Sequence, residues 1–469
     1  MSDNINKTAL KAGVWYTISN FIIRGMSFLT TPIFTRLLSQ EEYGQFSNFS
    51  SWMALLTIIT TLELYVSVNR AKFDFEDDLD GYLSSVAVCG TLFTGICYLI
   101  VIVWRDFFVK VFNMDMLYIH IMFIYLLFQP ALVLLSAKYR IMMKYKLVTF
   151  LTMLSTISSV LLSLVLVITL KNRFLARVLG NNIPLIVVNV ILYILIIIKG
   201  KKLSFKYCKY ALMISIPLLP HVLAGNVFGT TDRIMITQIC GPVSNAIYSL
   251  VYSCSLLISI LMNSVNQAWV PWFYEKLNGV QYDEIRKISK KYVTLFCFFS
   301  FVFMLLGPEA VLVLGGEKYK EAIYLMPPIM LGCVMQFLYT LYVNVEIFHK
   351  KTFGISIRTV IAALFNLGAN AIAIPLWGYQ AAAYTTLLGY FILYFLHYLA
   401  ARKLGSGEYY DNKYIWCIAG GMFLLSGIVL YTYYHFMLRY LMITLCIVLT
   451  LCVLIRFRKD IKNMIEKGK

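Results

Sequence analysis

Four arginines lie within or at the ends of long apolar runs. Arg24 and Arg36 belong to "FIIRGMSFLTTPIFTRLL", Arg177 sits one turn inside the run over 174–198, and Arg233 follows Asp232 in "TTDRIMITQIC". A guanidinium in hydrocarbon costs on the order of 3 kcal/mol on insertion scales, so each must meet water or a partner. Its charge is permanent, and its planar fork matches phosphate or carboxylate oxygens two at a time. The chemistry on offer is recognition of an anionic group from inside a wet cavity. Arg24 lies about fifteen residues into its run, roughly 22 Å along a helix, too deep to reach the surface comfortably. It faces a water-filled interface or pairs with a carboxylate or carbonyl; the third option is a misread span. Arg36, after Pro32, has four roles open: closing a gate, anchoring at headgroups, capping its helix or touching cargo. Arg177 is a candidate cavity cation. Asp232-Arg233 reads either as an ion pair with another span or as a gate.

Other residues fit motion or coupling. "YALMISIPLLPHVLAGNVFGTT" contains Pro217 and Pro220, and each removes a backbone donor, so the helix should kink there. The kink serves packing or acts as a moving hinge. His221 beside it titrates near neutral pH when unperturbed; a satisfied buried histidine is the simpler reading, proton coupling the alternative. Glu63 is a cation site or an interfacial acid. Glu346 and Arg358 flank a turn and are expected to snorkel.

These groups have to be held by membrane helices. The chain has 469 residues, 60% of them hydrophobic, with a mean hydropathy of +0.75. A soluble protein could not bury so much apolar surface. Apolar runs of about 20 residues recur from end to end, giving fourteen candidate spans from 9–31 to 437–457. The N-terminal segment reads as a retained first span rather than a cleaved signal peptide. An even count puts both termini on one side. Lys and Arg concentrate on that side, which the positive-inside rule makes cytoplasmic. The net charge of +18 is explained by inner loops such as "SAKYRIMMKYK" and "KGKKLSFKYCK" lying against anionic headgroups, and nucleic-acid binding is excluded. The ten cysteines form no C-x-x-C pair, so neither a metal site nor a disulfide framework is expected. The acidic cluster "FDFEDDLDGY" (Phe73–Tyr82) reads as a solvated turn.

An internal repeat organises the spans. "SQEEYGQFSNFSS" (Ser39–Ser51) lies beside "GPVSNAIYSLVYS" (Gly241–Ser253) at an offset of about 202, so that Ser47 aligns with Ser249; further on, Lys144 aligns with Lys350 and Ala176 with Ala382 at about 206. The expected fold is an all-α polytopic membrane protein of about 14 transmembrane helices. Two six-helix lobes (1–203 and 204–403) are related by a pseudo-twofold axis along the membrane normal, followed by two C-terminal helices and a basic tail (404–469). A site at the interface of two such bundles suits a transporter whose lobes rock.

Three motifs carry a family resemblance. "TPIFTRLLSQEEYGQFS" (Thr31–Ser47), "TTDRIMITQICGPVSNAIYSLVYS" (Thr230–Ser253) and "NSVNQAWVPWFYEKL" (Asn263–Leu277) resemble segments of Wzx-like polysaccharide flippases of the multidrug/oligosaccharidyl-lipid/polysaccharide exporter superfamily. The resemblance implies two lobes around a central cavity in the bacterial cytoplasmic membrane. It implies a lipid-linked oligosaccharide cargo, usually on undecaprenyl diphosphate, flipped to the outer leaflet for O-antigen or capsule assembly. Arg24, Arg36, Arg177 and Arg233 become candidate cargo-binding residues, and Asp232, His221, Pro217, Pro220 and Glu63 candidates for gating or coupling. No cofactor is implied, while coupling to a proton or sodium gradient stays open. Membrane lipids and other polysaccharide-assembly proteins are the candidate partners.

Three rivals are weighed. A drug or cation antiporter of the same superfamily needs acidic residues inside the first lobe, where only Glu63 stands, and Arg24 would repel its substrate. A membrane glycosyltransferase or polymerase needs an acidic motif on a sizeable outer loop, so an enzyme is not expected. A scaffold for an assembly complex would not need a charged cavity.

Overall fold

The computed structural model describes residues 25–456, Ser27 and Met143 excepted, and these are helical nearly throughout, with no strand. Residues 28–37 are the end of the first helix, α1. Then come α2 (Gln40–Thr61), α3 (Val68–Asp74), α4 (Leu79–Val103), α5 (Arg105–Phe112), α6 (Met116–Phe128), α7 (Pro130–Ile141), α8 (Tyr145–Thr169) and α9 (Arg173–Gly200). The second half continues with α10 (Phe205–Ser215), α11 (Leu219–Cys240), α12 (Pro242–Asn278), α13 (Tyr282–Leu305), α14 (Gly307–Gly315), α15 (Met326–Phe348), α16 (Thr352–Trp377) and α17 (Ala381–Lys403). Short α18 (Ser406–Tyr409) leads to α19 (Asn412–Thr432) and α20 (Phe436–Arg456).

Eleven described helices are long and apolar enough to cross a membrane; α2 with Leu64–Asp74 makes a twelfth, bent by 47°, and Phe436–Cys452 is a shorter apolar helix. The expected first span, 9–31, lies almost wholly outside the described residues; the described helices agree with the all-α polytopic fold of about fourteen helices expected from hydropathy. The bend falls at Leu62 and Glu63, both in the left-handed region with φ of 49° and 53°, a conformation that costs a side-chain-bearing residue on the order of 1 kcal/mol or more.

Local chemistry sets the helix ends. "SQEE" forms a full capping box: Ser39 Oγ accepts from Glu42 N at 3.1 Å, and Glu42 Oε2 accepts from Ser39 N at 2.8 Å. That satisfies two of the donors a helix start leaves open. Gly241 (φ 86°) ends α11, and Pro242 starts α12 at a position where no amide donor is needed. Asn172 caps α9 by accepting from Leu175 N at 2.9 Å.

One large core fills the second half, from Ile236 to Ile443, including Phe273, Phe337 and Tyr394. The first half holds smaller cores around Tyr82 and Leu134, around Phe49 and Phe123, and around Phe34 and Val167. α19 packs on α13 and α15, and α20 is fastened by Arg439 Nη2 to Glu309 Oε1 at 2.6 Å.

The acidic cluster does more than face solvent. Asp74 accepts from Tyr210 Oη (2.5 Å), Asp78 from Tyr207 Oη (2.6 Å) and Lys202 Nζ (2.6 Å), and Asp80 from Lys138 Nζ (2.5 Å). Phe75 stacks on Tyr82 and meets Tyr207 and Tyr210. Together they clamp α10 to the first half. α10 then passes into α11 through a 3-10 turn, Ile216–Leu218, which holds Pro217, and Pro220 follows in the first turn of α11.

Candidate functional site

The two halves meet along α2, which packs against both α11 and α12. The approach is closest at Gly44, where an added Cβ would stand 1.8 Å from the carbonyl oxygen of Pro242. Asn245 Nδ2 donates to the Gly44 carbonyl at 3.0 Å. The Ser47 and Ser249 hydroxyls are 2.6 Å apart. These are the serines that the sequence offset of about 202 aligns, and here they touch.

The end of the interface that carries Gly241 is shut. Thr35 Oγ1 donates to Leu314 O (2.5 Å), Arg36 Nη2 to Val313 O (3.0 Å), Gln40 Nε2 to Lys318 O (2.6 Å) and Lys318 Nζ to Leu38 O (2.9 Å). Gln238 Nε2 donates to Val111 O at 2.5 Å on the same rim.

Beneath that seal lies a cavity of about 470 Å³, lined from α1, α2, α8 and α9 on one side and α11 and α12 on the other. Arg177 and Arg233 both open into it. The Arg177 guanidinium carbon sits 3.5 Å from the Phe34 ring centroid and 4.5 Å from that of Phe46, and its Nη1 is buried without a hydrogen bond. Arg233 stacks over Tyr252 at 4.6 Å, donates through Nη2 to the Gly229 carbonyl, and leaves Nε buried and unbonded. Stacking on aromatic faces holds the guanidinium planes while leaving their edges free. Among the described residues neither arginine forms an ion pair. The lining contains no acidic side chain; hydroxyls and Asn181 supply the remaining polarity. The site is two aromatic-held guanidinium groups in one cavity.

Asp232, though next to Arg233, points away into the second half. It is 2% exposed and accepts from Tyr248 Oη (2.7 Å), Thr386 Oγ1 (2.5 Å) and Asn370 Nδ2 (2.6 Å). All three donors are neutral, in contrast to the interhelical ion pair considered for this residue. No local signal points to Asn370 or Thr386, which lie 138 and 154 positions away.

The other candidates scatter. Arg24 lies outside the described residues. Arg36 is exposed at the rim and bonds the carbonyls of Pro32 (2.8 Å) and Val313, capping its helix and clasping the opposite half. His221 lines neither large cavity, and its Nδ1 is buried without a partner. Glu63 is buried at the bend after α2, in a separate cavity of about 240 Å³ in the first half.

Glu346 and Arg358 do not snorkel. Glu346 is fully buried, with Arg358 Nη1 at 2.5 Å and His397 Nδ1 at 2.7 Å. The signal was the pair of opposite charges twelve residues apart across a turn, joined by a histidine in an apolar run. Removing one member of such a buried group costs about 3 kcal/mol or more, because its partners are left uncompensated; this trio ties α15, α16 and α17 together.

The fold is like that of solved membrane transporters. The chain superposes on the lipid II flippase MurJ in an inward closed conformation with a TM-score of 0.72, at 14% identity, covering 96% of this chain and 100% of that one. It superposes on an inward-facing multidrug resistance MATE family transporter of the MOP superfamily with a TM-score of 0.57, at 13% identity, covering 85% and 98%. The model of the polysaccharide biosynthesis protein family matches residues 9–277, and the chain belongs to that family. Among curated proteins it is 23% identical over 419 residues to "Lsg locus putative protein 1" of Haemophilus influenzae, covering 84% of this chain and 99% of that protein.

Proposed function

We propose that this protein is a flippase. On this reading it carries an undecaprenyl-diphosphate-linked oligosaccharide from the cytoplasmic to the outer leaflet of the bacterial cytoplasmic membrane, for O-antigen, capsule or a related polysaccharide. The observation that carries the reading is the pair Arg177 and Arg233, stacked on aromatic rings and without carboxylate partners in a cavity between the two halves. A diphosphate supplies what both guanidiniums lack, and charge-assisted hydrogen bonds of this kind are the strong ones. The polyprenyl tail stays in lipid.

In this scheme the lysine-rich side and both termini are cytoplasmic, and the Gly241 end faces out. The headgroup enters from the basic side while the outer rim is shut. The halves, 1–203 and 204–403, then part across the α2–α12 seam at the Gly241 end, exchanging the seam and rim bonds for a seal on the other side. Each rim bond is worth about 1 kcal/mol net, so the two states can lie close in free energy and cargo can bias them. The clamp on α10 and the turn at 216–218 form the hinge.

Asp232 is the coupling group: a buried carboxylate whose hydrogen-bond donors are all neutral is stabilised by an arriving proton or sodium ion. The rival drug antiporter would have to bring a cation beside two arginines. In proteoliposomes, wild-type protein is expected to flip an undecaprenyl-diphosphate trisaccharide and to respond to an imposed proton or sodium gradient. Asp232→Asn keeps most of the hydrogen bonds and should lose the gradient response. No flipping by the wild type would defeat the reading, and a variant still driven by the gradient would remove Asp232 from coupling.

A further inference from the structure

A second cavity, of about 490 Å³, lies inside the second half between α12, α15 and α17. It adjoins the arginine cavity: Leu256 lines both, and Tyr252, whose ring carries Arg233, forms part of its wall. The chemistry changes sharply across that boundary. No ionisable acid or base other than tyrosine and cysteine lines the second cavity. Its surface is made of tyrosine rings and of amide and hydroxyl groups.

The rings are held by neighbours. Tyr390 stacks on Phe228 with centroids 4.9 Å apart, and Tyr339 lies against His397 at 5.7 Å. The amides are largely uncommitted. Among the described residues Asn263 and Gln336 make no side-chain hydrogen bond, and Asn344 uses only Nδ2, toward Asn266 Oδ1 at 3.1 Å. An amide offers a donor and an acceptor together, and a ring offers a flat apolar face beside a polar tip. That combination fits a neutral sugar, which has hydroxyls around its edge and C–H faces above and below. It rejects an ionised sugar, because nothing in the wall offsets the charge.

We infer that this cavity is a glycan subsite selecting uncharged sugars: the arginine cavity holds the diphosphate, and the attached glycan runs past Leu256 to lie among Tyr252, Tyr339, Tyr390, Asn263 and Gln336. The inference rests on the flippase reading and adds the substrate class to it. Glycan occupancy also reaches the coupling group, since Tyr248 and Thr386 line this cavity and donate to Asp232.

The test is binding to full-length protein in nanodiscs with three probes. They are undecaprenyl diphosphate, the same lipid bearing a neutral N-acetylglucosamine trisaccharide, and a trisaccharide of the same length ending in glucuronic acid. The neutral glycan should tighten binding about tenfold over the bare lipid, and the acidic one should give no such gain. Asn263→Ala with Gln336→Ala, and separately Gln336→Glu, should erase the neutral gain and leave bare-lipid affinity unchanged, which also reports an intact fold. A gain that survives in both variants, an equal gain for the acidic glycan, or no gain in the wild type would overturn the subsite. Failure of the bare lipid to bind the wild type, or equal binding to an Arg177→Ala/Arg233→Ala protein, would instead defeat the flippase reading.

Discussion

Replacing Arg177 and Arg233 together by alanine should abolish polysaccharide export in cells that depend on this protein, while leaving normal amounts of it in the membrane. Each guanidinium can make charge-assisted hydrogen bonds to a diphosphate, worth about 1.5–3 kcal/mol apiece, so losing both should weaken cargo binding by about a hundredfold or more. The fold should not suffer. Both groups have buried nitrogens with no partner, so their removal relieves an unmet desolvation cost, and thermal stability should stay level or rise. Lysine at both sites should restore export only in part, since the charge returns without the fork. The measurement is surface polysaccharide set against membrane abundance and melting temperature. Normal export by the abundant double-alanine protein would remove these residues from the cargo path; a large fall in stability would make them structural.

Gly44→Val should jam the transporter with its Gly241 end open. A Cβ at this position stands 1.8 Å from the Pro242 carbonyl oxygen. That oxygen is backbone at the start of α12 and cannot swing aside as a side chain would. The halves must separate there, losing the Asn245–Gly44 and Ser47–Ser249 hydrogen bonds, while the core of each half is untouched. Transport should fall more than tenfold, as expected for loss of about 2 kcal/mol of seam contacts from the closed state. A cysteine at Ser253, in the cavity wall, should become reactive to an impermeant thiol reagent from the Gly241 side. Gly95→Ala is the control, having nothing within 4 Å of its added Cβ. Unchanged labelling and transport in Gly44→Val would show that this contact does not govern closure.

The parts of this molecule that depend on neighbours in sequence were legible. Span lengths follow from hydropathy, and the capping box at Ser39 follows from "SQEE". The alignment of Ser47 with Ser249 follows from the repeat offset, while their contact is seen only in the fold. Arg177 was legible as a cavity cation because an arginine in an apolar run has few places to go. What depends on helices far apart in sequence was not. Asp232 looked like half of an ion pair because Arg233 is adjacent, yet adjacent residues on a helix point about 100° apart, and its partners come from three other helices. Glu346 and Arg358 looked interfacial because both flank a turn, and only packing with His397 revealed them as a buried trio. The aromatic rings that hold the two arginines could not be picked from 33 tyrosines and 32 phenylalanines.

Alternating access through the interface between the halves is tested most directly by tying the rim shut. Gln40 and Lys318 already touch across it, with Gln40 Nε2 2.6 Å from the Lys318 carbonyl oxygen. Cysteines at these positions, in a protein freed of its native cysteines, should be joined by a short bis-methanethiosulfonate reagent, which forms a reducible disulfide with each thiol and releases methanesulfinate. In proteoliposomes the joined protein should still bind undecaprenyl diphosphate from the basic side but flip no trisaccharide lipid, and cleavage of the reagent should restore flipping. Efficient joining with undiminished flipping would contradict the mechanism, because cargo would then be crossing without the Gly241 end ever opening.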